Sequence, residues 1–401
     1  QAEAGAFRLP GESQGSVLVE IGASAEEALP EAARSILAKS GSWVLAGLTL
    51  EEPVFRIAAL SGDKGLQIAE LPLAVLRRAY EYPLCRVYPQ TSGGVAEDRN
   101  GGPAGFSENG LLTVSGGNTV PRRNANTGAF QIKKQGGPLA VLPVFPGTNC
   151  EWDMERAFRE AGARTRLVVF RNRSREDIAG SIRELTGAIG EAQILALSGG
   201  FSAGDEPEGS GKFIANVLRS PPIADALTGL LEKRDGLALG ICNGFQALIK
   251  VGLVPYGTYR EAGPDMPTLT FNRIGRHVSR MVRTRVMSTL SPWLSLEESG
   301  AVHIVPVSHG EGRLVIGQAE GEALFGTGQV AFCYANAEGR PAMGEPDNPN
   351  GSDFAIEGLS SPDGRVLGKM GHSERQGKYV HVNIPGNKEQ RIFRAGAAYF
   401  I

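Results

Sequence analysis

One stretch constrains this chain more than any other: Leu237-Ala238-Leu239-Gly240-Ile241-Cys242-Asn243-Gly244-Phe245-Gln246-Ala247-Leu248. An apolar run stops at Gly240, a single cysteine follows, and after Gly244 the spacing of Phe245, Leu248 and Ile249 predicts a helix with one apolar face. This is the strand–turn–helix pattern of a nucleophile elbow, with Cys242 where a serine often stands. A tight turn lifts the side chain above the sheet edge, and flanking glycines leave room for it and for a substrate. The helix N-terminus behind it favours thiolate over thiol. The Asn243 N–H points to where an oxyanion would develop. Read alone, the stretch also fits a buried structural cysteine in an ordinary strand–helix turn.

At 401 residues the chain has room for two to three domains and large cores. Hydrophobic residues make up 41% and charged residues 21%, as in ordinary globular proteins. A formal net charge of -2 argues against nucleic-acid or membrane-surface binding through bulk charge. No apolar run reaches the roughly 18–20 residues of a membrane span. The opening Gln1-Ala2-Glu3-Ala4-Gly5 does not read as a signal peptide. It lacks an initiator methionine, which points to a processed chain or a piece of a longer one. The cysteines, Cys85, Cys150, Cys242 and Cys333, form no Cys-x-x-Cys pair. That suits a reducing cytoplasm and one catalytic thiol, and predicts no metal site.

Residues 1–90 are expected to form a small α/β module. Ser16 to Ile21, Trp43 to Leu50 and Val54 to Leu60 read as strands; Ser24 to Lys39 and Leu73 to Tyr82 read as helices, with a capping box from Ser24 and Glu27. Residues 91–138, rich in Gly, Asn, Ser and Pro, read as a linker or long loop.

From Leu139 strands and helices alternate. Strands are expected at Leu139 to Phe145, Arg166 to Phe170, Gln193 to Leu197 and Leu237 to Ile241. Helices are expected at Cys150 to Glu160, Ser174 to Ile189, Gly211 to Leu218 and Ile223 to Lys233. Thr148 and Glu151 form a candidate capping box for the first of them. This alternation predicts an α/β fold with a mostly parallel sheet covered by helices on both faces, and ligands outside the carboxyl ends of its strands. The loop Ser198 to Asp205 and Cys242 both lie at such ends. Beyond Val254 the pattern turns β-rich, with strands at Val278 to Val286, Ala301 to Val307, Val330 to Tyr334 and Arg365 to Met370.

Of five histidines, His372 is the best partner for Cys242. It follows an apolar strand, and Glu374 stands two residues on, on the same side of an extended backbone, able to orient the imidazole. The Gly199-Gly200 loop offers a second N–H for an oxyanion hole. Ser308-His309-Gly310-Glu311-Gly312 ends a β run with polar groups suited to a substrate's charged ends. Cys150, Cys85 and Cys333 read as small packing residues.

Together these segments resemble the class I glutamine amidotransferase domain of phosphoribosylformylglycinamidine synthase. The resemblance is carried by Phe145-Pro146-Gly147-Thr148-Asn149-Cys150, Ser198 to Asp205, Gly240 to Gln246, His309-Gly310-Glu311-Gly312 and Gly371 to Arg375. Tyr379 to Asn387 is similar to the long, single-chain form, and residues 16–80 more weakly resemble the end of its synthase domain. The resemblance implies a flavodoxin-like amidotransferase fold over 139–401. It implies Cys242, His372 and Glu374 as catalytic triad, Gly200 and Asn243 as oxyanion hole, and Gln246, His309 and Glu311 near the bound glutamine. It also implies ammonia passed to an upstream synthase domain or subunit, where ATP and magnesium serve the amination; no cofactor is expected in this chain, nor a nucleic-acid or membrane partner. That synthase piece is expected to dock on residues 16–80. Ser373, where many relatives carry proline, is expected to loosen the turn between His372 and Glu374. Two other readings stand beside this one: an amidotransferase feeding another acceptor, and a non-catalytic or partner-dependent module of the same fold.

Overall fold

A computed structural model describes residues 54–59, 66–73, 75, 136–202, 211–261, 263 and 266–401. The chain divides into two compact units, Gln1–Arg77 and Arg78–Ile401. In the first, β1 (Val54–Ala59) pairs antiparallel with β2 (Leu66–Pro72), and the register slips between Ile57 and Ala58. The sequence pattern missed β2. The expected strands at 16–21 and 43–50, the helix at 24–39 with its capping box, most of the helix at 73–82 and nearly all of the 91–138 linker lie outside the described residues.

The second unit begins with β3 (Leu139–Val144), α1 (Glu151–Glu160), β4 (Arg164–Val169), α2 (Arg175–Glu191), β5 (Ile194–Leu197), α3 (Lys212–Leu218) and α4 (Pro221–Thr228). It continues with β6 (Leu237–Ile241), α5 (Asn243–Val251), β7 (Thr268–Thr270), β8 (Val278–Val286), β9 (Val302–His309), β10 (Arg313–Val315) and α6 (Gln318–Gly326). It closes with β11 (Val330–Ala335), β12 (Ile356–Ser360), β13 (Val366–Lys369) and α7 (Ile392–Ala398). Nine strands form one sheet in the order β4-β3-β5-β6-β13-β12-β11-β8-β9. From β4 to β13 neighbouring strands run parallel; from β13 to β9 they run antiparallel. The fold class is therefore α/β, and the β-rich segment after Val254 extends the same sheet rather than forming another layer. β7 and β10 make a separate small ladder.

The central strands are apolar along their whole length because helices cover them: every residue of β5 and β6 is buried. α5 runs almost wholly inside, with Asn243 through Ile249 all buried. Two local expectations fail. Cys150 occupies the N-cap of α1 and makes no side-chain capping bond; the Thr148 hydroxyl instead accepts the Phe145 N–H at 3.0 Å and closes the preceding turn. The helix expected at 223–233 starts at Pro221, where proline suits the first turn, and widens into a π-turn over Gly229–Lys233. Ser174 does cap α2, accepting from Asp177 N at 3.1 Å. Among the described residues no helix is long and apolar enough to cross a membrane.

Candidate active site

β5, β6 and β13 are adjacent and parallel, so their carboxyl ends open side by side. The Ser198–Gly200 loop leaves β5, Cys242 follows β6, and His372 stands three residues beyond β13. A shared sheet edge thus gathers residues far apart in sequence.

Cys242 has φ 53° and ψ -107°, a conformation a non-glycine residue rarely adopts. Its N–H donates to the Lys369 carbonyl at 2.8 Å, and its thiol lies 3.8 Å from the Ser308 carbonyl. The glycines of the elbow serve packing more than substrate access. A Cβ on Gly244 would lie 2.1 Å from the Leu197 carbonyl oxygen, and one on Gly240 would lie 2.7 Å from Gly244. Both must be glycine for α5 to sit flush on the sheet.

His372 Nδ1 and Glu374 Oε1 are 2.5 Å apart, and both side chains are buried. The backbone between them is not extended. Arg375 N–H donates to the His372 carbonyl at 3.2 Å, so residues 372–375 form a turn that brings Glu374 back under the ring. Ser373 does not loosen it: its hydroxyl donates to Gln390 Oε1, and Gln390 in turn donates to Thr284 Oγ1 at 2.9 Å. Gly199 lies among the key groups. A Cβ there would sit 2.7 Å from His372 Cε1, 3.2 Å from Cys150 Sγ and 3.4 Å from Cys242 Cβ.

Burial is the largest influence on the Cys242 thiol and pushes its pKa well up; Cys150 and Glu374 add to this, against the Asn243 backbone N–H and Arg375. This works against the thiolate expected from the helix terminus. A thiol so placed needs a base before it can act as a nucleophile. Burial alone would raise Glu374 too, but His372, the Glu374 backbone N–H and Arg375 outweigh it and hold the carboxyl below its ordinary value.

The remaining predicted residues fall around this centre. Gly200, at φ 148°, bridges Thr148, where a Cβ would lie 2.7 Å from the Gly147 oxygen. The Asn243 side chain accepts from Ser202 N at 3.3 Å and donates to Gln246 Oε1 at 2.9 Å, tying the Gly200 loop to the elbow. Gln246 in turn donates to the Glu311 carbonyl. His309 is buried, its Nδ1 is 3.1 Å from Asn272 Oδ1, and burial, then the charges of His372 and His277, lower its pKa to about 3. Its surroundings favour the neutral ring.

Sequence reasoning missed the parts played by two residues, Cys150 and Asn272. Cys150 is not a mere packing residue: Arg375 Nη2 donates to its sulfur at 3.0 Å, and burial with Glu374 raises its pKa to about 11. Asn272 holds the 309–312 loop, receiving Gly312 N–H at 3.1 Å and donating to the His309 carbonyl at 2.8 Å. Cys333, by contrast, is the core residue expected. Cys150, His372 and Glu374 bring one potential metal-ligand atom each within 4.8 Å of one another. Two of these groups already bond each other and a guanidinium stands on the third, an arrangement that favours proton transfer over cation binding.

The CobB/CobQ-like glutamine amidotransferase domain family matches residues 138–400. The chain belongs to this family. Two curated relatives carry the name phosphoribosylformylglycinamidine synthase subunit PurQ. The one from Rhodospirillum rubrum is 36% identical over 59% of this chain and 89% of its own length. The one from Methanococcus maripaludis is 34% identical over 59% of this chain and 82% of its own. These relatives place this glutamine amidotransferase in the PurQ branch. A chain from the structure of PurLQS from Thermotoga maritima is 26% identical, covered over its full length by 66% of this chain, with a TM-score of 0.47.

Proposed function

We propose that residues 138–400 are the glutaminase part of phosphoribosylformylglycinamidine synthase, with Cys242 as nucleophile in de novo purine biosynthesis. The observation that carries the catalytic reading is the buried His372–Glu374 pair at the end of β13, beside Cys242 at the end of β6.

Glu374 fixes the ring with its proton on Nδ1 and leaves Nε2 as the proton acceptor. His372 Nε2 takes the Cys242 proton, and the thiolate attacks the side-chain amide carbon of glutamine. The N–H groups of Gly200 and Asn243 receive the resulting oxyanion. His372 returns the proton to the amide nitrogen, the C–N bond breaks, and ammonia leaves a γ-glutamyl thioester. Water, deprotonated by His372, attacks the thioester; the C–S bond breaks, the thiol is restored and glutamate departs. His309 and Glu311 border the glutamine pocket, and Gln246 braces it through Glu311.

Ammonia passes to a synthase partner, where ATP and magnesium support conversion of formylglycinamide ribonucleotide to the amidine. The reaction belongs in the cytoplasm, where the thiols stay reduced. The burial around Cys242, which works against its thiolate, also supports a partner-dependent form of this reading, in which docking of the synthase completes activation.

Intact-mass labelling with an electrophilic glutamine analogue tests the site. A single adduct on the full chain, lost in Cys242→Ala, is the expected result. An adduct that survives that substitution would overturn the assignment of the nucleophile. Ammonia release from glutamine, with and without the synthase partner, separates an active glutaminase from a silent module.

A further inference from the structure

Lys369 and Glu357 form an ion pair in the interior just beneath the catalytic turn, with Nζ 3.0 Å from Oε1 and both side chains fully buried. The pair sits on neighbouring strands, β13 and β12. Its partners are specific. Lys369 Nζ donates to the Gly371 carbonyl at 2.7 Å, and Glu357 Oε1 accepts the Gly371 N–H at 2.5 Å. One ion pair therefore holds the residue before His372 by its amide N–H and by its carbonyl. The same Lys369 also receives the Cys242 N–H on its backbone carbonyl.

Gly371 is shaped to this clamp. A Cβ there would lie 2.7 Å from Glu357 Oε1, 2.7 Å from Val305 Cγ2 and 3.0 Å from Lys369 Nζ. Stability alone does not call for such a pair, because apolar residues of similar volume often do as well or better in an interior. A charged clamp does what they cannot: it holds the two peptide groups that flank the Gly371 Cα, one by its N–H and the other by its carbonyl, through strong, directional bonds.

We propose that Glu357 and Lys369 are positioning residues for catalysis, holding the peptide groups on both sides of Gly371 so that the His372 ring keeps its place between Glu374 and Cys242. This rests on the reading of Cys242 as nucleophile. Neither residue touches the glutamine or the reacting atoms; both act through the backbone of the base and, for Lys369, of the nucleophile.

The test removes both charges together, in Glu357→Leu/Lys369→Met, so that no orphan charge remains inside. A second variant, Glu357→Asp, keeps the charge but withdraws the carboxylate from the Gly371 N–H by one methylene. In the full chain, each folded variant is expected to lose about ten- to hundredfold in kcat for glutamine hydrolysis. The glutamine KM should stay within about twofold, since ground-state binding is untouched. Adduct formation at Cys242 by the glutamine analogue should slow with kcat. A purely structural pair would lower the melting temperature and leave kcat and the labelling rate of the folded protein at parental values, and that result overturns the proposal. If the double variant does not fold, Glu357→Asp decides by the same two readouts. A parental chain that takes no adduct at Cys242 would instead sink the nucleophile assignment beneath the proposal.

Discussion

Arg375 reaches back from the His372–Arg375 turn to Cys150, its Nη2 3.0 Å from the sulfur, and so joins the start of α1 to the residue that follows Glu374. Arg156, on α1, donates to the carbonyls of Glu374 and Gln376, each at 3.3 Å, and makes the same junction from the other side. Glu374, the acid of the proposed triad, is therefore held by contacts from a distant helix as well as by its own turn. That arrangement fixes the carboxylate in place, and in the proposed mechanism its charge supports the imidazolium during proton transfer.

Glu374→Gln isolates that charge. The amide fills the same space but neither stabilises an imidazolium nor enforces the proton on Nδ1. Loss of this support is expected to lower kcat for glutamine hydrolysis by about 10²–10⁴-fold, the range associated with general acid–base groups. Steady-state ammonia release measures it; a kcat within tenfold of the parent would show that Glu374 does not orient the base.

Much of this arrangement was legible in the sequence. Apolar runs bounded by glycine marked β3, β5 and β6, and the Cys242 elbow and His372-x-Glu374 supplied the centre. What could not be read came from contacts without a local period. Cys150 and Arg375 are 225 positions apart, and only the sheet edge brings them together. The pairing of Glu357 with Lys369 was likewise not read: it depends on β12 lying beside β13 in the sheet. The environment of Cys242 went unread for a different reason: the helix terminus is visible in sequence, but the desolvation that works against a thiolate appears only once the strands close around the thiol.

Gly199→Ala tests the geometry of the centre without changing any charge. Its methyl would meet His372 Cε1 at 2.7 Å, so the ring or the loop must shift. Overpacking of this kind costs about 1–3 kcal/mol. In a domain this size that corresponds to a melting temperature lower by roughly 2–12 °C. Hydrolysis assayed well below that temperature is expected to fall by about two orders of magnitude, because the imidazole is displaced from the thiol. Parental kcat in a folded variant would show that the ring has room the structure does not offer.

His309 gives the site a pH signature in stability. Its pKa is about 3 in the fold against 6.5 for the free side chain, with burial as the main cause. Between those values the unfolded chain binds a proton that the folded chain does not, so stability rises with pH across the window and is lost on acidification from 6.5 towards 3. One such group contributes a slope of roughly 1 kcal/mol per pH unit. His309→Gln removes the titration while keeping a side chain able to bond Asn272. Denaturant unfolding of both proteins from pH 7 to pH 4 is expected to show a smaller acid-side loss in the variant, with the two curves separating progressively below pH 6.5. Parallel curves across that range would mean that the His309 ring takes up its proton in the folded state as readily as in the unfolded one.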